Sequence, residues 1–254
     1  MAERTAQPRW YALQVAWLNL TFWPIFFVAT ILFAIWGAAT FFAMLPIDRR
    51  RADWLIRRGI SRYGKFITCC GWPLATVRYV DFAPQEKPPF VFIANHRSSS
   101  DPFLMSVLPL EVVQMLNIWP QRIPLVGFFS TMAGYLKVRQ VPFETFTALG
   151  SRLLDEGVSI VAFPEGTRSG SRKMGQFHGA AFRLAQQTGT KICPLAISGS
   201  ERMPPRRSLV LHPGRISIAK LPAVTSCQFR EMSPFALKNQ VRQMIQEYLD
   251  KIEA

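Results

Sequence analysis

Residues 90–101 read FVFIANHRSSSD, in which five apolar residues are followed directly by seven polar ones. A short apolar run that ends in a polar turn is typical of a buried strand. Asp101 precedes Pro102, and an Asp before a first-turn proline favours the start of a helix. The stretch therefore predicts a strand, a polar turn and a helix in succession. The turn contains His96, one of the three histidines of the chain.

The same alternation continues through the chain after residue 70. Short β-branched and apolar runs predict strands at Thr76–Val80, Phe90–Ala94, Val112–Leu116, Tyr135–Val138, Ser159–Phe163, Ile192–Ser198 and Ile216–Lys220. Apolar residues at helical spacing predict helices at Phe143–Asp155, Phe177–Gln187 and Pro234–Ile252. Strands that alternate with helices indicate an α/β fold with a mixed, largely parallel central sheet flanked by helices.

The beginning of the chain is apolar throughout. No charged residue occurs from Trp10 to Ile47, whereas about 20 apolar residues are enough to cross a bilayer. Pro24–Leu45 is the predicted membrane-embedded helix, and it follows aromatic residues typical of a membrane interface, namely Trp10, Tyr11, Trp17, Phe22 and Trp23. A single tilted helix and a shallow re-entrant pair of helices both fit this length. We therefore predict a membrane-anchoring helical segment at 1–70 and an α/β domain at 71–254.

The formal net charge is +14, and basic residues are densest directly after the apolar segment, at Arg49, Arg50, Arg51, Arg57, Arg58, Arg62 and Lys65. This cluster predicts a juxtamembrane helix over residues 49–68 that lies against anionic headgroups. It also places the main domain on the cytoplasmic side of a cell inner membrane. A basic chain also suits nucleic acid, but no helix-turn-helix, zinc-finger or RNA-binding motif occurs. We therefore expect membrane lipids, and no nucleic acid, as partners.

The four cysteines are Cys69, Cys70, Cys193 and Cys227, and no pair of them has CxxC spacing. This pattern supports neither a disulfide framework nor a zinc site. We expect all four to be reduced residues of the core, and we predict no metal site.

Three predicted strands end in residues that are typical of functional loops. In the first loop, the turn can bring Asp101 to His96, so that the carboxylate accepts from one imidazole nitrogen and leaves the other as a base. The alternative is that Asp101 only caps a helix. The second loop, Phe163–Ser169 (FPEGTRS), offers Arg168 and a flexible glycine to a phosphate, or else forms a surface turn with a local Glu–Arg pair. The third strand ends in Arg139.

These blocks, in this order, resemble the glycerolipid acyltransferase family, typified by 1-acylglycerol-3-phosphate acyltransferase. The first block of that family, NHxSxxD, is matched by Asn95, His96, Ser98 and Asp101. Its later blocks are a glycine with an arginine five residues on, the sequence EGTRS and a proline-containing strand, matched by Gly134 with Arg139, by Glu165–Ser169 and by Lys191–Ile197. The chain departs from the family in lacking a lysine shortly before Ile123-Pro124.

The resemblance implies a direct transfer that uses no metal, no cofactor and no covalent acyl-enzyme. His96, oriented by Asp101, would remove the proton of an acceptor hydroxyl, which then attacks an acyl thioester. The co-substrate would be acyl-CoA or acyl carrier protein. Arg139 and Arg168 would bind the acceptor phosphate, and Glu165 would order an arginine or the acceptor. The predicted substrate-binding residues are Asn95, Ser98, Arg139, Glu165, Gly166, Thr167 and Arg168.

The implied acceptor is a lysophospholipid. We prefer 1-acylglycerol-3-phosphate, converted to phosphatidic acid, because two guanidinium groups suit a phosphate monoester. The missing lysine leaves another acceptor open, such as a lyso-amino-acid lipid. Two functions of other classes are also open: a lipid hydrolase, although no GxSxG nucleophile elbow occurs, and a non-enzymatic membrane adaptor that binds anionic lipid.

Overall fold

The computed structural model describes residues 8–44, 46–117, 124–138 and 141–254. Helix α1 spans Arg9–Met44 without a break, so it begins well before the predicted start at Pro24. A proline inside the helix fits an apolar environment, because proline is more frequent in membrane-embedded helices than in soluble ones. Leu45, the last residue of the predicted span, lies outside the described residues. Helix α1 is long and apolar enough to cross a bilayer. The apolar segment forms one helix, whereas the sequence also allowed a re-entrant pair of helices.

Helix α2, Arg49–Cys69, follows α1 after a short turn. The carboxylate of Asp48 caps it by accepting hydrogen bonds from the backbone N–H groups of Arg50 and Arg51, which fixes where the basic helix begins. The helix predicted over residues 49–68 is therefore present. Helix α2 ends at Cys69, and the division of the chain into domains after residue 70 stays a prediction.

The two helices form an antiparallel hairpin. Thr30 and Tyr63 share a hydrogen bond of 2.6 Å between their hydroxyl oxygens. The Phe33 ring stacks on the ring of Tyr63, with centroids 4.7 Å apart. Trp36 lies directly over Gly59, where an added Cβ atom would collide with the indole. The missing side chain of Gly59 therefore lets the helices approach closely.

Helix α1 also packs along the rest of the protein. Near its start, the Tyr11 hydroxyl lies 3.1 Å from Nδ1 of His212, and further along, the Phe33 and Phe129 ring centroids are 5.0 Å apart. The opposite side of the helix is apolar and more than half exposed at Leu13, Trp17, Leu20, Phe27, Val28, Ile31, Leu32, Ile35 and Phe42. A contiguous exposed apolar face of this size indicates membrane association.

The described residues contain a seven-stranded sheet in the order β1-β7-β6-β2-β5-β3-β4. All neighbouring pairs are parallel except β6 and β7, which are antiparallel. This confirms the predicted α/β fold with a mixed, largely parallel sheet. The strands are β1 Ala75–Asp81, β2 Val91–Ala94, β3 Val112–Leu116, β4 Leu136–Lys137, β5 Ser159–Ala162, β6 Ile192–Ser198 and β7 Gly214–Lys220. Each predicted strand is present, with its ends shifted by no more than two residues.

Helices cover both faces of the sheet. The remaining ones are α3 Asp101–Leu104, α4 Pro124–Met132, α5 Phe143–Asp155, α6 Ala180–Thr188, α7 Ser226–Phe229 and α8 Pro234–Glu253. Since side chains alternate along a strand, Val91 and Ile93 of β2 face a core formed with α5, α6 and α8. Phe92 and Ala94 face the other core, which α1 and the segment around Leu211 complete.

Two predictions about this architecture need correction. Helix α6 begins at Ala180 rather than at Phe177, because the backbone N–H of His178 donates to the carbonyl of Pro164 (2.7 Å) and ties this part of the chain to the loop after β5. The four cysteines are free, but of these only Cys193 is a buried core residue. The others lie on α2, at its end and on α7, which are helices that present one side to the surface.

Candidate active site

His96 and Asp101 meet in the turn after β2. Nδ1 of the imidazole lies 2.8 Å from Oδ2 of Asp101. The aspartate is fully buried, and 16% of the histidine side chain is exposed. Because an ionised carboxylate can only accept, Nδ1 carries the proton and Nε2 is unprotonated in the neutral ring. Nε2 has no hydrogen-bond partner among the described residues, so it is available as a base.

Asp101 holds the whole turn as well as the imidazole. Its Oδ2 atom also accepts from the backbone N–H groups of Arg97 (2.7 Å) and Ser98 (2.8 Å). The alternative that Asp101 only caps a helix is wrong. Helix α3 has Ser100 at its N-cap, and the carboxylate of Asp101 bonds backwards to the turn that precedes it. Three donors on one oxygen fix the carboxylate, and through it the orientation of His96.

Glu165 braces the same turn from the loop after β5. One carboxylate oxygen accepts from the backbone N–H of His96 (2.7 Å), and the other accepts from the backbone N–H of Gly175 (2.8 Å). Burial raises the pKa of this carboxyl group, and the two backbone donors oppose that rise. The side chain therefore orders the backbone beside His96, whereas the sequence predicted that it orders an arginine or the acceptor.

Asn95 and Ser98 are also bound by the protein itself. The fully buried amide of Asn95 exchanges two hydrogen bonds with the backbone of Ile197 in β6, at 2.9 and 2.7 Å. The buried hydroxyl of Ser98 bonds to the carbonyl groups of Met203 and Pro204, each at 3.0 Å. Both side chains thus attach the turn to neighbouring segments. The structure gives them this role instead of a position facing a substrate.

The loop Glu165–Ser169, which we call the EGTRS loop, lies against the turn that carries His96. The backbone N–H of Ser169 donates to the carbonyl of His96 (2.8 Å), and that of Gly170 donates to the carbonyl of Arg97 (3.1 Å). Arg168 comes immediately before this contact. Its guanidinium is partly exposed and has no ion pair or hydrogen bond with the described residues. A free cation is therefore held on the loop that contacts His96.

Gly166 and Thr167 complete this loop. Gly166 has φ +70°, a left-handed conformation that favours glycine, and its open side lies against the imidazole of His178. The Thr167 side chain is exposed and bonds only locally, to the carbonyl of Arg168 (3.3 Å). No group of three or more His, Cys, Asp or Glu side chains that could hold a metal occurs in the described ranges.

Arg97 is a site residue that sequence reasoning missed. It is 1% exposed, although it lies next to His96. Its guanidinium is bonded to both carboxylate oxygens of Glu253, to Glu201 (3.3 Å) and to the carbonyl of Arg172 (3.2 Å). The last turn of α8 is therefore tied to the turn between His96 and Asp101. The only sequence signal for this role of Arg97 was that a basic residue occupies a variable position of the NHxSxxD block.

Arg139 lies outside the described residues, as does the stretch 118–123 that precedes Pro124. The structure thus brings together His96, Asp101, Glu165 and Arg168 and leaves Arg139 as a prediction.

Residues 76–198, which include both loops, match the family model described as acyltransferase. The chain carries an acyltransferase-family domain. This confirms the resemblance that the four sequence blocks indicated.

Curated relatives agree with this acyltransferase domain. The chain is 28% identical to the chloroplastic 1-acyl-sn-glycerol-3-phosphate acyltransferase LPAT1 of Arabidopsis thaliana, over 53% of this chain and 39% of that protein. It is 25% identical to a 1-acyl-sn-glycerol-3-phosphate acyltransferase of Pseudomonas aeruginosa, over 75% of each chain. It is 29% identical to a lyso-ornithine lipid O-acyltransferase of the same organism, over 56% and 55%. The chain spans about two fifths of the length of the chloroplast and algal relatives that it matches.

The acyltransferase fold extends beyond the matched domain. The crystal structure of the 1-acyl-sn-glycerophosphate acyltransferase PlsC from Thermotoga maritima superposes with a TM-score of 0.75, covering 96% of this chain and 98% of that one. Sequence identity is 22%. The N-terminal helices α1 and α2 therefore belong to a shared fold.

Proposed function

We propose that this protein is a membrane-bound O-acyltransferase, which moves a fatty acyl group from an acyl thioester to the free hydroxyl of a lysophospholipid. The observation that carries the proposal is the 2.8 Å contact between His96 and a fully buried Asp101. Next to it, the EGTRS loop holds a cation, Arg168, that the described residues leave unpaired. A base and an anion-binding group are the parts that this transfer requires.

The chemistry follows from the tautomer that Asp101 imposes. Nε2 of His96 accepts the proton of the acceptor hydroxyl while its oxygen attacks the thioester carbonyl. The imidazolium that forms is stabilised by Asp101, which already accepts from Nδ1. Collapse of the tetrahedral intermediate breaks the C–S bond, and the leaving thiolate takes the proton back from Nε2. The ester, the free thiol and the neutral histidine are the products, so no metal, cofactor or acyl-enzyme takes part.

The acceptor that best fits the loop is 1-acylglycerol-3-phosphate, with phosphatidic acid as product. A planar guanidinium binds two phosphate oxygens at once. Two of the relatives named above act on this acceptor by their names. A lyso-amino-acid lipid is the second candidate, because another relative is named for lyso-ornithine lipid. The proposed donor is acyl-CoA or acyl carrier protein.

The hydrolase alternative finds little support in the geometry. Ser98 is fully buried, and its hydroxyl donates to carbonyl groups of Met203 and Pro204. No serine hydroxyl among the described residues is hydrogen-bonded to His96. A Ser–His nucleophile requires that contact, or one close to it.

The proposed location is the cytoplasmic face of a cell inner membrane. The support is the basic cluster on α2, beside the exposed apolar face of α1. Basic residues on one flank of an apolar helix favour the cytoplasmic side, where anionic lipids attract them.

The base is tested first, with purified full-length protein. We expect His96→Ala to lower kcat by about 10²–10⁴-fold, because general-base loss has that size. Thermal unfolding shows whether the variant is folded. A folded His96→Ala protein with the wild-type kcat would refute the mechanism.

The acceptor is tested with Arg168→Lys, which keeps the charge but loses the two-pronged contact. Arg152→Lys is the matched control, since Arg152 is 62% exposed on α5 and its ion pair within the described residues is with Glu156. With lysophosphatidic acid, Arg168→Lys should raise KM and lower kcat, because the phosphate positions the hydroxyl for His96. With lyso-ornithine lipid, which has no phosphate, we expect little change. An equal loss on both acceptors, or a wild type that prefers lyso-ornithine lipid, would contradict the phosphate assignment and leave the acyltransferase assignment standing.

A further inference from the structure

The loop at residues 205–210 (PRRSLV) has an unusual surface for a loop beside an active site. Arg206, Arg207 and Leu209 are all exposed, and 72% of the Leu209 side chain is open to solvent. Val210 is 43% exposed. Two cations followed by two exposed aliphatic residues form a small amphipathic surface, which we call the PRRSLV loop.

This loop is attached to the membrane-facing helix α1. The indole N–H of Trp23 donates to the carbonyl of Leu209 (3.1 Å). The amide of Asn19 brackets Leu211, donating to its carbonyl (2.8 Å) and accepting from its N–H (2.9 Å). The neighbouring residues of α1 that point outward, such as Leu20, are among the most exposed apolar residues of the helix. The apolar end of the PRRSLV loop therefore continues the exposed apolar face of α1.

The two arginines have no partner of their own. Neither guanidinium forms an ion pair or a hydrogen bond with the described residues. Arg207 has φ +65°, and it is the one residue other than glycine with positive φ in the described ranges. Such a conformation is uncommon for arginine and persists where the surroundings demand it. The chain thus holds an unpaired cation in a strained turn at the edge of an apolar surface.

The PRRSLV loop and the two residues before it contact the segments that carry Arg168 and His96. The side chain of Arg206 lies so close to Gly170 that an added Cβ atom there would stand 2.7 Å from its Cβ. Gly170 in turn donates to the carbonyl of Arg97 (3.1 Å). On its other side, the segment begins at Met203 and Pro204, whose carbonyl groups accept from Ser98. The position of the PRRSLV loop is therefore linked to the position of the His96 turn.

We propose that the PRRSLV loop is a second membrane-contact element, in which Arg206 and Arg207 bind the anionic headgroups of the bilayer and Leu209 and Val210 enter its surface. It acts beside α1 and holds the rim of the active site against the lipid that contains the acceptor. Continuity with the apolar face of α1 favours a bilayer as the occupant, since a soluble anion would leave Leu209 and Val210 in water. The inference goes beyond the proposed reaction and does not depend on which lyso-lipid is acylated.

Contact with lipid can be measured without any catalysis. In full-length protein with Cys69, Cys70 and Cys227 replaced by serine, a nitroxide is attached at Leu209→Cys, while the buried Cys193 stays. The matched control is Leu149→Cys on α5, which is 47% exposed on the opposite face of the sheet. In vesicles of equal parts phosphatidylcholine and phosphatidylglycerol, the label at 209 should lose accessibility to a water-soluble nickel complex and gain accessibility to oxygen. A label at 209 that stays as accessible to nickel as the one at 149 would overturn the proposal.

The role of the arginines is tested with Arg206→Gln/Arg207→Asn. Asparagine tolerates positive φ, so the second change removes charge without further strain. The control, Arg183→Gln/Arg230→Gln, removes two exposed cations from the other face of the sheet. With acceptor in the anionic vesicles, the loop variant should lose up to about 30-fold in kcat/KM, from roughly fivefold per basic residue near an anionic surface. The loss should shrink at high salt and be small in phosphatidylcholine alone.

A monomeric short-chain acceptor separates this role from the chemistry. With that acceptor in solution, the loop variant should match both the wild type and the control variant in kcat and in the KM of the acyl donor. A raised KM for the donor would mean that the arginines bind the donor's phosphates, and it would refute the membrane assignment. Failure of the acyltransferase proposal would instead appear as an inactive wild type, while the nitroxide result still decides the membrane contact.

Discussion

A single oxygen atom, Oδ2 of Asp101, organises the chemistry at the scale of residues. It accepts from the imidazole of His96 and from two backbone N–H groups, those of Arg97 and Ser98. Three hydrogen bonds to this one buried oxygen hold the carboxylate in a single orientation. The same oxygen therefore positions the backbone of the turn and defines the tautomer of His96.

Sequence reasoning predicted this His–Asp pair and the Arg168 loop, but it assigned several neighbours to the wrong partner. Asn95, Ser98 and Glu165 were expected at the substrate, and the structure has them bonded to Ile197, to Met203 and Pro204, and to Gly175. Three of these four partners, Ile197, Met203 and Pro204, lie 102 to 106 residues away in the chain. A motif shows which residue types are present, but the fold decides whether a polar side chain faces a ligand or another segment.

The variant Glu165→Gln tests whether Glu165 supports the backbone beside His96 or binds the acceptor. A carboxylate accepts both N–H groups, whereas a glutamine amide has one acceptor, so the N–H of His96 or of Gly175 loses its partner. We expect the free energy of unfolding to fall by about 1–3 kcal/mol and kcat to fall with it, because the backbone of His96 moves. Chemical denaturation and steady-state kinetics measure both quantities.

The control for that variant is Glu144→Gln, at an exposed glutamate in the first turn of α5. It should leave both quantities unchanged. Unaltered stability of Glu165→Gln, together with a raised KM for the acceptor, would show that Glu165 contacts the acceptor after all.

At the scale of elements, the local sequence pattern was sufficient to predict where each strand lies in the chain. It was insufficient to predict the order of the strands in the sheet. Apolar runs predicted β2, β5 and β6, which are buried almost throughout. β-Branched residues predicted β1 and β7, although these two strands also contain charged residues. The order β1-β7-β6-β2-β5-β3-β4 and the antiparallel pairing of β6 with β7 depend on contacts between distant segments. The link between the end of α8 and the turn between His96 and Asp101 also depends on distant segments, since Arg97 and Glu253 are 156 residues apart.

That link gives a prediction about α8. Replacing Glu253 by alanine leaves the guanidinium of Arg97, which is 1% exposed, without its main counter-charge. Breaking a buried pair in this way costs about 3–5 kcal/mol. We expect a large fall in unfolding free energy, and a fall in kcat with little change in KM, because the affected turn carries His96. Arg97→Met alone should behave similarly.

The double variant Arg97→Met/Glu253→Ala removes both charges and should be more stable than either single variant, because the remaining partner, Glu201, also lies 3.9 Å from the guanidinium of Arg172. The matched control is Glu247→Ala, one of the other acidic residues of α8, whose hydrogen bond to Gln243 is exposed. Additive losses in the double variant would show that the two charges do not interact.

At the scale of the whole molecule, hydropathy predicted membrane attachment but not its direction. Helix α1 has 36 residues, which makes it about 54 Å long, whereas the hydrocarbon core of a bilayer is about 30 Å thick. Tyr11 near its start and Gly37 near its end both contact the α/β part, at His212 and Phe129. A helix that crossed the bilayer could not keep both contacts. The exposed apolar face is therefore best buried with the helix lying along the membrane surface, as interfacial helices do.

This orientation predicts that both ends of α1 lie on the same side of the membrane. Single cysteines at Arg9→Cys and Arg50→Cys, in full-length protein with Cys69, Cys70 and Cys227 replaced by serine, report the two ends, and Leu149→Cys reports the side of the α/β part. We expect a membrane-impermeant maleimide to label all three in inside-out membrane vesicles and none in right-side-out vesicles. A spanning helix would place Arg9→Cys on the opposite side from the other two. Labelling of Arg9→Cys alone in right-side-out vesicles would therefore contradict the surface orientation and favour a transmembrane α1 that has left its contacts with His212.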